Sequence, residues 1–557
     1  MNNKRNVDQA SFNIISHGLH AMAQEMGEMM VRSAYSTIIR EARDCSASFL
    51  DRNGKIIAQA QFCPIHMNSF GLVFDAFAKR YDLSKIKPGE GLITNDPYSG
   101  GQHLNDILIF TPVFHRGELV AFSASLGHHI DIGGGAAGPN ASAIDVFAEG
   151  LRIPLLKFNI ADDLGDGMLE QFIRLNVRPP DLVMGDLNAQ LAANNTGEMR
   201  FIELLDRFGV DTVLAAADEL QDYAERLARD AISAIPDGVY EGEDFVDDNG
   251  FDELPLRVKV KITVKGDTVA VDLSGSARQT KGIINSPLAS TISSVYGAFA
   301  LLLGGGDIPI NDGLYRPIEV YAPEGCFLNP DQPVAVRARN SACQRIYNAI
   351  MLAMAPVVPG QVLTSGHDTT NAIGMGHMGP EGYRVYLEVV GGGWGASEGA
   401  DGADVVDSYV GNCSNVPVES LEQDYPFMVV DEYSMRRGSS GAGKRRGGLG
   451  TRRVYRILDD DVTFNSYSDR FRIAPWGLFG GQPGAPTRYT VERGDERISL
   501  SSKVNFTLMK GDRLVIEIAG GGGFGEPKER ERERVEHDLK ESLISTDEAR
   551  DLYGLEV

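Results

Sequence analysis

The sequence is poor in basic residues and contains no long apolar run. Its 557 residues include 53 Lys and Arg against 77 Asp and Glu, which gives a net charge of −24 at pH 7. A surface this acidic repels phosphate backbones, so a nucleic-acid partner is excluded. No apolar run reaches the roughly 20 residues that a membrane-spanning helix needs, so no membrane partner is expected.

Cysteine is scarce, and no two cysteines form a CxxC pair. The five cysteines are scattered along the chain, namely Cys45, Cys63, Cys326, Cys343 and Cys413. This usage predicts a reduced, cytoplasmic protein without a disulfide framework or a thiolate zinc site. The N-terminal stretch MNNKRNVDQASF also lacks the apolar core of a signal peptide. Any bound metal is therefore expected to have histidine and carboxylate ligands.

Length and pattern predict an α+β protein with more than one domain, because 557 residues exceed a single hydrophobic core. Helical spacing of apolar residues predicts a long helix over residues 8–42, and residues 165–235 are mainly helical in pattern. Pro-Asp-Gly at 236–238 ends that region, and the alternation in LRVKVKITVKGDTVAVDLSG then predicts antiparallel strands. We therefore predict a metal-binding domain over 1–235, built from the N-terminal helix and a β-hairpin. A β-rich domain with Gly-rich loops and C-terminal helices is predicted over 236–557.

Two apolar, β-prone runs, ILIFTPVF and ELVAFSASL, lie on either side of the short stretch HRGE. Arg-Gly in this stretch is a good tight turn, so the two runs predict a β-hairpin. If His115 faces Glu118, then opposed residue numbers sum to 233 and Asp106 faces Gly127. A loop longer by one residue places Asp106 opposite His128 instead.

Either register brings the loop before the first strand close to the loop after the second. Opposed residues of a strand pair lie about 5 Å apart, within reach of one metal ion. The two loops together offer five metal-capable side chains: His103, Asp106, His128, His129 and Asp131. Imidazole and carboxylate without thiolate suit Zn²⁺, Mn²⁺ or Fe²⁺. The adjacent histidines would point to opposite faces of a strand, so one can bind metal while the other supports it or faces substrate. The alternative is a set of polar loop residues that only hydrogen-bond to one another.

Other motifs do not predict a nucleotide site. GSSGAGKR (438–445) matches the phosphate-loop pattern but ends in Arg where Ser or Thr would bind Mg²⁺. The Gly-rich stretches VVGGGWGASEGADG and AGGGGFGEP lack the strand and helix of a dinucleotide fingerprint, and we interpret them as tight turns or subunit contacts. His17 and His20 are interpreted as a surface pair, and His367 with Asp368 as a hydrogen-bonded loop.

Several long stretches resemble one protein family, the hydantoinase B/oxoprolinase family, over nearly the whole chain. They are EMGEMMVRSAYSTIIREARDCSASFLDRNGKIIAQAQFCPIHMNSF, TNDPYSGGQHLNDI, GHHIDIGG, AEGLRIPLLKF, INDGLYRPIEVYAPEG, SSGAGKRRGGLG and AGGGGFGEP. The family includes B subunits of ATP-dependent N-methylhydantoinases, the corresponding half of 5-oxoprolinases, and caprolactamase. Acetone and acetophenone carboxylase subunits are more distant relatives.

The resemblance implies a metal held by Asp44, His103, Asp106 and His128. The hairpin argument reaches three of these residues, whereas Asp44 comes from the resemblance alone. His66, in the motif CPIHMNSF, is implied as a supporting or substrate-facing residue. Caprolactamase-like members imply zinc, which we expect here, and acetone carboxylase-like members imply manganese, which stays open.

The resemblance also implies that this chain is one of the two kinds of subunit in an enzyme. A hydantoinase A-like partner would bind ATP and phosphorylate the substrate, and this chain would complete the cleavage at its metal, within an (αβ)2 heterotetramer. The expected reaction is ATP-dependent hydrolysis of a hydantoin, oxoproline or lactam, with His129, Asp131 and His66 as candidate catalytic residues. One alternative is a subunit of an ATP-dependent carboxylase. The other is a scaffold subunit with a structural metal, although structural sites are usually closed and rich in thiolate.

Overall fold

The computed structural model of the chain describes residues 7–60, 62–304, 306–380 and 382–556. Residues 1–6, which begin the stretch used above to judge a signal peptide, lie outside the described residues. In the described part, helices and strands occur along the whole length, and the strands form four sheets. The predicted α+β class is thus confirmed as a mixed fold with several sheets, while the division at residue 236 stays a prediction.

The helices differ widely in length. They are α1 (Gln9–Ser33), α2 (Thr37–Arg40), α3 (Ser69–Arg80), α4 (Ile160–Leu164), α5 (Met168–Asn176), α6 (Pro180–Phe208), α7 (Val210–Ser233), α8 (Leu288–Leu302), α9 (Asp312–Tyr315), α10 (Asn340–Met354), α11 (Val418–Asp424), α12 (Arg532–Lys540) and α13 (Thr546–Asp551). None of the helices in the described ranges has the length and apolar character needed to cross a bilayer.

The first helix is shorter than the predicted span of 8–42, because α1 ends at Ser33. The backbone N–H groups of Tyr35 and Ser36 donate to Asp186 Oδ1 of α6, at 2.8 and 3.0 Å. Those two donors are therefore not available to continue the helix. The chain restarts as the short helix α2 and then turns into the first strand.

The first sheet is antiparallel and is covered by helices on both faces. Its strands are β1 (Cys45–Asp51), β2 (Ile56–Ala60), β3 (Glu90–Thr94), β4 (Asp106–His115), β5 (Glu118–His128) and β6 (Leu156–Asn159), in the order β2-β1-β5-β4-β3-β6. Helices α1 and α6 pack on one face. On the other face, Phe70, Phe74 and Phe77 of α3 pack against Phe110 and Phe122 of the sheet. Burial on both faces explains why β4 and β5 are almost continuously apolar.

The predicted hairpin is confirmed as β4 and β5, and both proposed registers occur in it. Near the turn His115 faces Glu118, but an irregularity in the pairing shifts the register by one residue further along. At the open end, Asp106 therefore faces His128 directly. A β-bulge of this kind re-aims the side chains beyond it, and here it places an aspartate opposite a histidine.

The second sheet contains the predicted antiparallel alternation. Its strands are β7 (Gly238–Val246), β8 (Leu256–Lys265), β9 (Thr268–Asp272) and β10 (Ile318–Tyr321), in the order β10-β9-β8-β7. Helix α10 packs against β7 and β8, and α8 packs on α10. Cys63 and Ile65, which lie between β2 and α3, are buried in this second core. This core therefore reaches the segment that carries His66.

The remaining strands form two sheets that share one core. They are β11 (Asn371–Gly379), β12 (Gly382–Val390), β13 (Met428–Arg436), β14 (Gly450–Ile457), β15 (Val462–Tyr467), β16 (Arg488–Arg493), β17 (Glu496–Leu500), β18 (Lys503–Leu508) and β19 (Arg513–Glu517). One sheet has the order β12-β11-β15-β18 and the other β13-β14-β19-β16-β17. Val385 and Leu387 of β12 also pack into the core of the first sheet, so the regions before and after residue 236 contact each other.

The Gly-rich stretches pack against one another, which corrects their interpretation as tight turns, while their interpretation as subunit contacts stays a prediction. A Cβ at Gly393 would lie 2.1 Å from the carbonyl oxygen of Gly448, and one at Gly521 would lie 1.7 Å from that of Trp394. Gly521 also donates its N–H to the Gly448 carbonyl at 2.8 Å. The backbones of these segments lie so close together that no side chain fits between them, so only glycine can occupy these positions. We call these contacting segments, 391–395, 441–448 and 520–523, the glycine core.

Candidate metal centre

Segments that are far apart in the sequence meet at the open end of the β4–β5 hairpin. His103 lies in the loop just before β4, Asp106 begins β4, and His128 ends β5. One ligand atom from each of these three residues lies within 4.8 Å of the others, and all three are buried. Asp44 immediately precedes β1, and His66 ends a single 3₁₀ turn. The structure therefore brings together all four predicted ligands and one of the three predicted catalytic residues.

Backbone hydrogen bonds place Asp44 beside the hairpin. Arg43 has a left-handed φ of 62°, which turns the chain from α2 into β1. Strand β1 pairs with β5, and the N–H of His128 donates to the Asp44 carbonyl at 3.1 Å. Asp44 was reached from the resemblance alone because its neighbour in the sheet is 84 positions away in the sequence.

The side chains of the cluster face a common space. His66 Nε2 lies 3.9 Å from Asp44 Oδ1 and 3.9 Å from Asp106 Oδ1. His103 Nε2 lies 3.6 Å from Asp106 Oδ2. The rings of His103 and His128 meet edge to face, with centroids 4.9 Å apart. These separations exceed hydrogen-bonding distance, as expected for groups that share a ligand between them rather than contact each other.

Unsatisfied polar atoms test whether this cluster fits a metal ion. Asp44 Oδ1, Asp106 Oδ1 and His128 Nδ1 are buried and have no hydrogen-bond partner in the described part of the chain. Buried polar atoms are normally satisfied, and each unsatisfied one costs about 1–3 kcal/mol. A divalent cation would satisfy both carboxylates and accept an imidazole lone pair. The donor set and its unpaired atoms therefore fit a transition-metal ion.

The cavity at the cluster is small. It measures about 30 Å³ and is lined by Asp44, His66, His103 and His128 among others. One water needs roughly 10–15 Å³ by this measure, so the space takes an ion and its water. A larger molecule would enter only after lining side chains have moved.

Burial sets the charge state of the cluster in the metal-free chain. It raises the pKa of Asp44 to about 6 and the pKa of Asp106 well above its usual range, with the nearby Asp44 charge adding to the second shift. Burial also lowers the pKa of His66 and His128 well below the ordinary value for histidine. Neutral imidazoles keep a lone pair for metal binding, whereas the carboxyls exchange protons for the metal.

The gain in melting temperature on adding Zn²⁺ is expected to be larger at pH 8 than at pH 5. The pKa of Asp44, raised from 3.8 to about 6 in the folded chain, means that at pH 5 the metal must displace a proton. The same shift makes the metal-free chain less stable as pH rises from about 4 to 6, because the folded state holds a proton that the unfolded state has lost. Melting curves with chelator and with Zn²⁺ at both pH values check this. A metal-dependent shift of equal size at both would contradict it.

His129 and Asp131 do not lie with the cluster, so their predicted catalytic roles lack support from the geometry. His129 points to the opposite face of the sheet from His128, as alternation predicts, and its Nε2 lies 3.0 Å from Gln190 Oε1 of α6. Asp131 forms an ion pair with Arg178 at 2.7 Å. Neither side chain lines the cavity. His129 points away from the cluster because successive side chains of a strand alternate between its faces. Asp131 lies away from the cluster because β5 has already ended at His128.

Several residues of the cavity wall were missed by the sequence analysis. They are Arg337, Arg339, Asp407, Cys413 and Tyr467, all from the region after residue 236. The two arginines stand two positions apart in the stretch VRARN just before α10, where the chain forms a turn and the N–H of Arg339 donates to the Val336 carbonyl at 3.1 Å. Their spacing in the sequence therefore did not predict that both side chains line the cavity. Asp407 and Cys413 lie in a loop without a pattern.

Cys63 lies beside the cluster, although only histidine and carboxylate ligands were expected for the metal. Its Sγ and ligand atoms of Asp44 and His66 all lie within 4.8 Å of one another. Burial raises the pKa of Cys63 to about 11, so the metal-free chain holds a neutral thiol. The thiolate is the form that binds metal. Cys63 is therefore a wall residue in this state.

The remaining motifs lie away from the cluster. GSSGAGKR at 438–445 connects β13 to β14, two antiparallel neighbours, so the helix that a phosphate loop requires does not follow it. His17 and His20 line a separate groove beside α7. His367 and Asp368 are buried, and Asp368 accepts hydrogen bonds from Ser365 and Asn348.

Comparison with known proteins gives a consistent set of relatives. The family model described as hydantoinase B/oxoprolinase matches residues 8–527. A protein of Pseudomonas sp. (strain NS671), provisionally named as the B subunit of a D-/L-hydantoinase, is 33% identical over 99% of this chain and 96% of its own length. The crystal structure of ATP-dependent caprolactamase from Pseudomonas jessenii superposes with a TM-score of 0.92 at 29% identity, covering 99% of this chain and 97% of the other. A nucleotide-free structure of acetone carboxylase shares the fold, with a TM-score of 0.90 at 20% identity, covering 99% of this chain and 80% of the other.

Proposed function

The chain belongs to the hydantoinase B/oxoprolinase family, and we propose that it is the metal-bearing subunit of an ATP-dependent hydrolase of cyclic amides. The observation that carries this proposal is the buried cluster of Asp44, His103, Asp106 and His128, whose unpaired ligand atoms fit a divalent ion. Similarity along the full length to an ATP-dependent caprolactamase supports the reaction class. Zinc is the favoured ion, and manganese or iron suits the same donors.

ATP would be bound by a partner chain and not by this one. The single phosphate-loop-like stretch noted in the sequence joins two antiparallel strands. The relative from Pseudomonas sp. is named as one subunit of a hydantoinase, which implies a second. An A-like partner would phosphorylate the amide oxygen. Water added to the amide carbon would then expel the ring nitrogen, which takes up a proton, and hydrolysis of the remaining acyl phosphate would release phosphate and the open-chain product. We propose two copies of each chain in the working enzyme.

The residues of the cavity can move a proton beside the substrate. A divalent transition metal, when bound, supplies an acidified water and polarises an oxygen of the substrate. The hydroxyl of Ser46 lies 3.4 Å from the Cys63 carbonyl, to which it donates, and 3.1 Å from His66 Nδ1. Ser46 then accepts from Nδ1–H, and His66 Nε2 keeps its lone pair towards the cavity. His66, which burial keeps neutral, is accordingly the proposed proton acceptor.

Ring opening is expected only when this chain, its partner and ATP are combined. The test is co-expression with an A-like partner, followed by a screen of hydantoins, 5-oxoproline and caprolactam with and without ATP. The isolated chain should show no ATP binding in calorimetry and no ring opening. Micromolar ATP binding by the isolated chain, or ATP-independent turnover, would contradict the division of labour. Mass measurement of the co-expressed complex checks the proposed stoichiometry.

A carboxylase subunit is the second candidate, because the acetone carboxylase structure has the same fold. The same screen separates the two reactions when bicarbonate is included. A product heavier by one carbon dioxide would assign this chain to the carboxylases. A stable complex that contains metal but turns over none of these substrates would favour the scaffold alternative.

A further inference from the structure

Arg337 is a buried cation that lines the cavity. Its residue is 6% exposed and shares the cavity wall with Asp44, His66, His103 and His128. In the ranges that the structure describes, its guanidinium donates no hydrogen bond and forms no ion pair within 4.0 Å. Its backbone N–H, in contrast, is bonded to Glu149. Burying a charged group without a partner is costly, so this position calls for a ligand.

Arg339, two residues along, shows what an arginine held by side-chain partners in this wall does, although its Nη1 has no hydrogen-bond partner among the described residues. It donates to Asp106 Oδ2 at 2.8 Å, and its Nε lies 3.1 Å from Gln102 Oε1 and 3.1 Å from Ser290 Oγ. These contacts commit Arg339 to holding Asp106. Among the described residues Arg337 has no such commitment, although both side chains leave the same turn before α10.

The backbone around Arg337 is fixed on both sides. The N–H groups of Val336 and Arg337 donate to Glu149 Oε1 at 2.9 and 2.7 Å, and that of Ala338 donates to the Ile283 carbonyl at 2.7 Å. Helix α10, 15 residues long, begins at Asn340, which also lines the cavity. A helix N-terminus favours negative charge in front of it. The segment therefore presents a guanidinium with donors to spare and a helix N-terminus to one space.

The charge balance of the cavity depends on the metal. When a divalent cation is bound in place of the carboxyl protons, three carboxylates, Asp44, Asp106 and Asp407, stand against that cation and the guanidiniums of Arg337 and Arg339. The formal charge of the loaded cavity is then +1 with neutral histidines. The loaded cavity then attracts an anion, and Arg337 is the cation placed to bind it.

We infer that Arg337 binds an oxyanion of the phosphate class beside the metal, which under the proposed function is the phosphoryl group of the activated substrate. A guanidinium presents parallel N–H donors that match two phosphate oxygens. Movement of Arg337 to admit the ligand breaks no side-chain hydrogen bond to a described residue, whereas movement of Arg339 breaks several. Metal and anion should also strengthen each other's binding, because the cation adds positive charge beside the guanidinium.

The test is direct binding of inorganic phosphate to the full chain by calorimetry, with and without Zn²⁺, which requires neither ATP nor turnover. Wild type should bind phosphate more tightly when loaded with metal. Arg337→Gln should weaken that binding by about tenfold to a hundredfold, as expected for loss of a charged hydrogen-bond donor pair. Arg337→Lys keeps the charge without the fork and should give an intermediate loss. Arg316→Gln removes an exposed, ion-paired arginine outside the cavity and should leave phosphate binding unchanged.

Metal content and melting temperature are measured for every variant. Phosphate binding lost in Arg337→Gln with full metal content supports the inference, and wild-type phosphate affinity in that variant overturns it. If Arg337→Gln does not fold, phosphate binding by Arg337→Lys tests the inference instead. A phosphate affinity of Arg337→Lys equal to that of wild type overturns it. Absence of phosphate binding to the metal-loaded wild type also overturns it. Tighter binding of bicarbonate than of phosphate would overturn the phosphoryl assignment. The co-expression assay tests the proposed function independently, because phosphate binding is measured without the partner chain, ATP or turnover.

Discussion

His103→Ala is expected to strip the metal from the purified chain and to abolish turnover of the reconstituted enzyme. The substitution removes an imidazole whose Nε2 lies 3.6 Å from Asp106 and whose ring contacts His128. Loss of a supporting residue already costs roughly 10–100-fold in metal affinity, and loss of a ligand should cost more. Elemental analysis should find about one ion per wild-type chain and almost none in the variant. The melting temperature should also fall to that of chelated wild type, because a metal that binds only the folded state stabilises it.

Two other histidines of the same hairpin provide matched controls. His115 lies at the opposite end, with its Nε2 2.9 Å from Asp206 Oδ1. His115→Ala should keep the full metal content. His129→Ala should also keep its metal, because that side chain contacts Gln190 on the other face of the sheet. Any loss of activity in it should follow from lower stability. A full metal content in His103→Ala would show that the ligand assignment is wrong.

Gly521→Ala is expected to prevent folding of the chain or to lower its stability by several kcal/mol. The new methyl carbon would lie 1.7 Å from the carbonyl oxygen and 2.3 Å from the carbonyl carbon of Trp394. Ordinary overpacking costs about 1–3 kcal/mol because side chains can shift. The obstacle here is backbone, held by hydrogen bonds from Gly521 to Gly448 at 2.8 Å and from Gly441 to Gly521 at 2.7 Å. Denaturant unfolding, or the soluble yield if none folds, measures the effect.

Gly399→Ala is the control for that variant. Gly399 belongs to another Gly-rich stretch, and an added Cβ there meets no atom within 4 Å. Its stability should stay within about 0.5 kcal/mol of wild type. If Gly521→Ala unfolds at the same denaturant concentration as Gly399→Ala, the close packing of the glycine core is wrong.

The hairpin shows how far the sequence alone leads towards the site. Apolar runs separated by HRGE predicted β4 and β5, and counting from the turn placed Asp106 opposite residue 127 or 128. The choice between them depended on a bulge between Val113 and Phe114, which the turn residues by themselves do not specify. The local pattern therefore predicted the neighbourhood of His128, and the tertiary structure determined its partner.

Asp44, Arg337 and His129 show why the rest could not be predicted. Asp44 joins the cluster through pairing of β1 with β5, which no local spacing encodes. Arg337 belongs to the region after residue 236, and the packing of α10 on the second sheet brings it to the cavity. For His129 the predicted alternation was right, but the opposite face carries Gln190 of α6 and not the substrate side of the cavity. Sequence patterns report local geometry, whereas these three positions are decided by long-range packing.

The cavity wall is completed late during protein synthesis. Its four predicted metal ligands are all translated by residue 128, but Tyr467, which closes part of the wall, is made 339 residues later. At about 5–20 residues per second, a nascent chain carries these ligands for roughly 20 to 70 seconds without the residues that bury them. During that interval the ligands face the ions of the surrounding solution. Under the proposed function, the ion that these ligands take up would then depend on the ions present before the second half of the chain folds over the site.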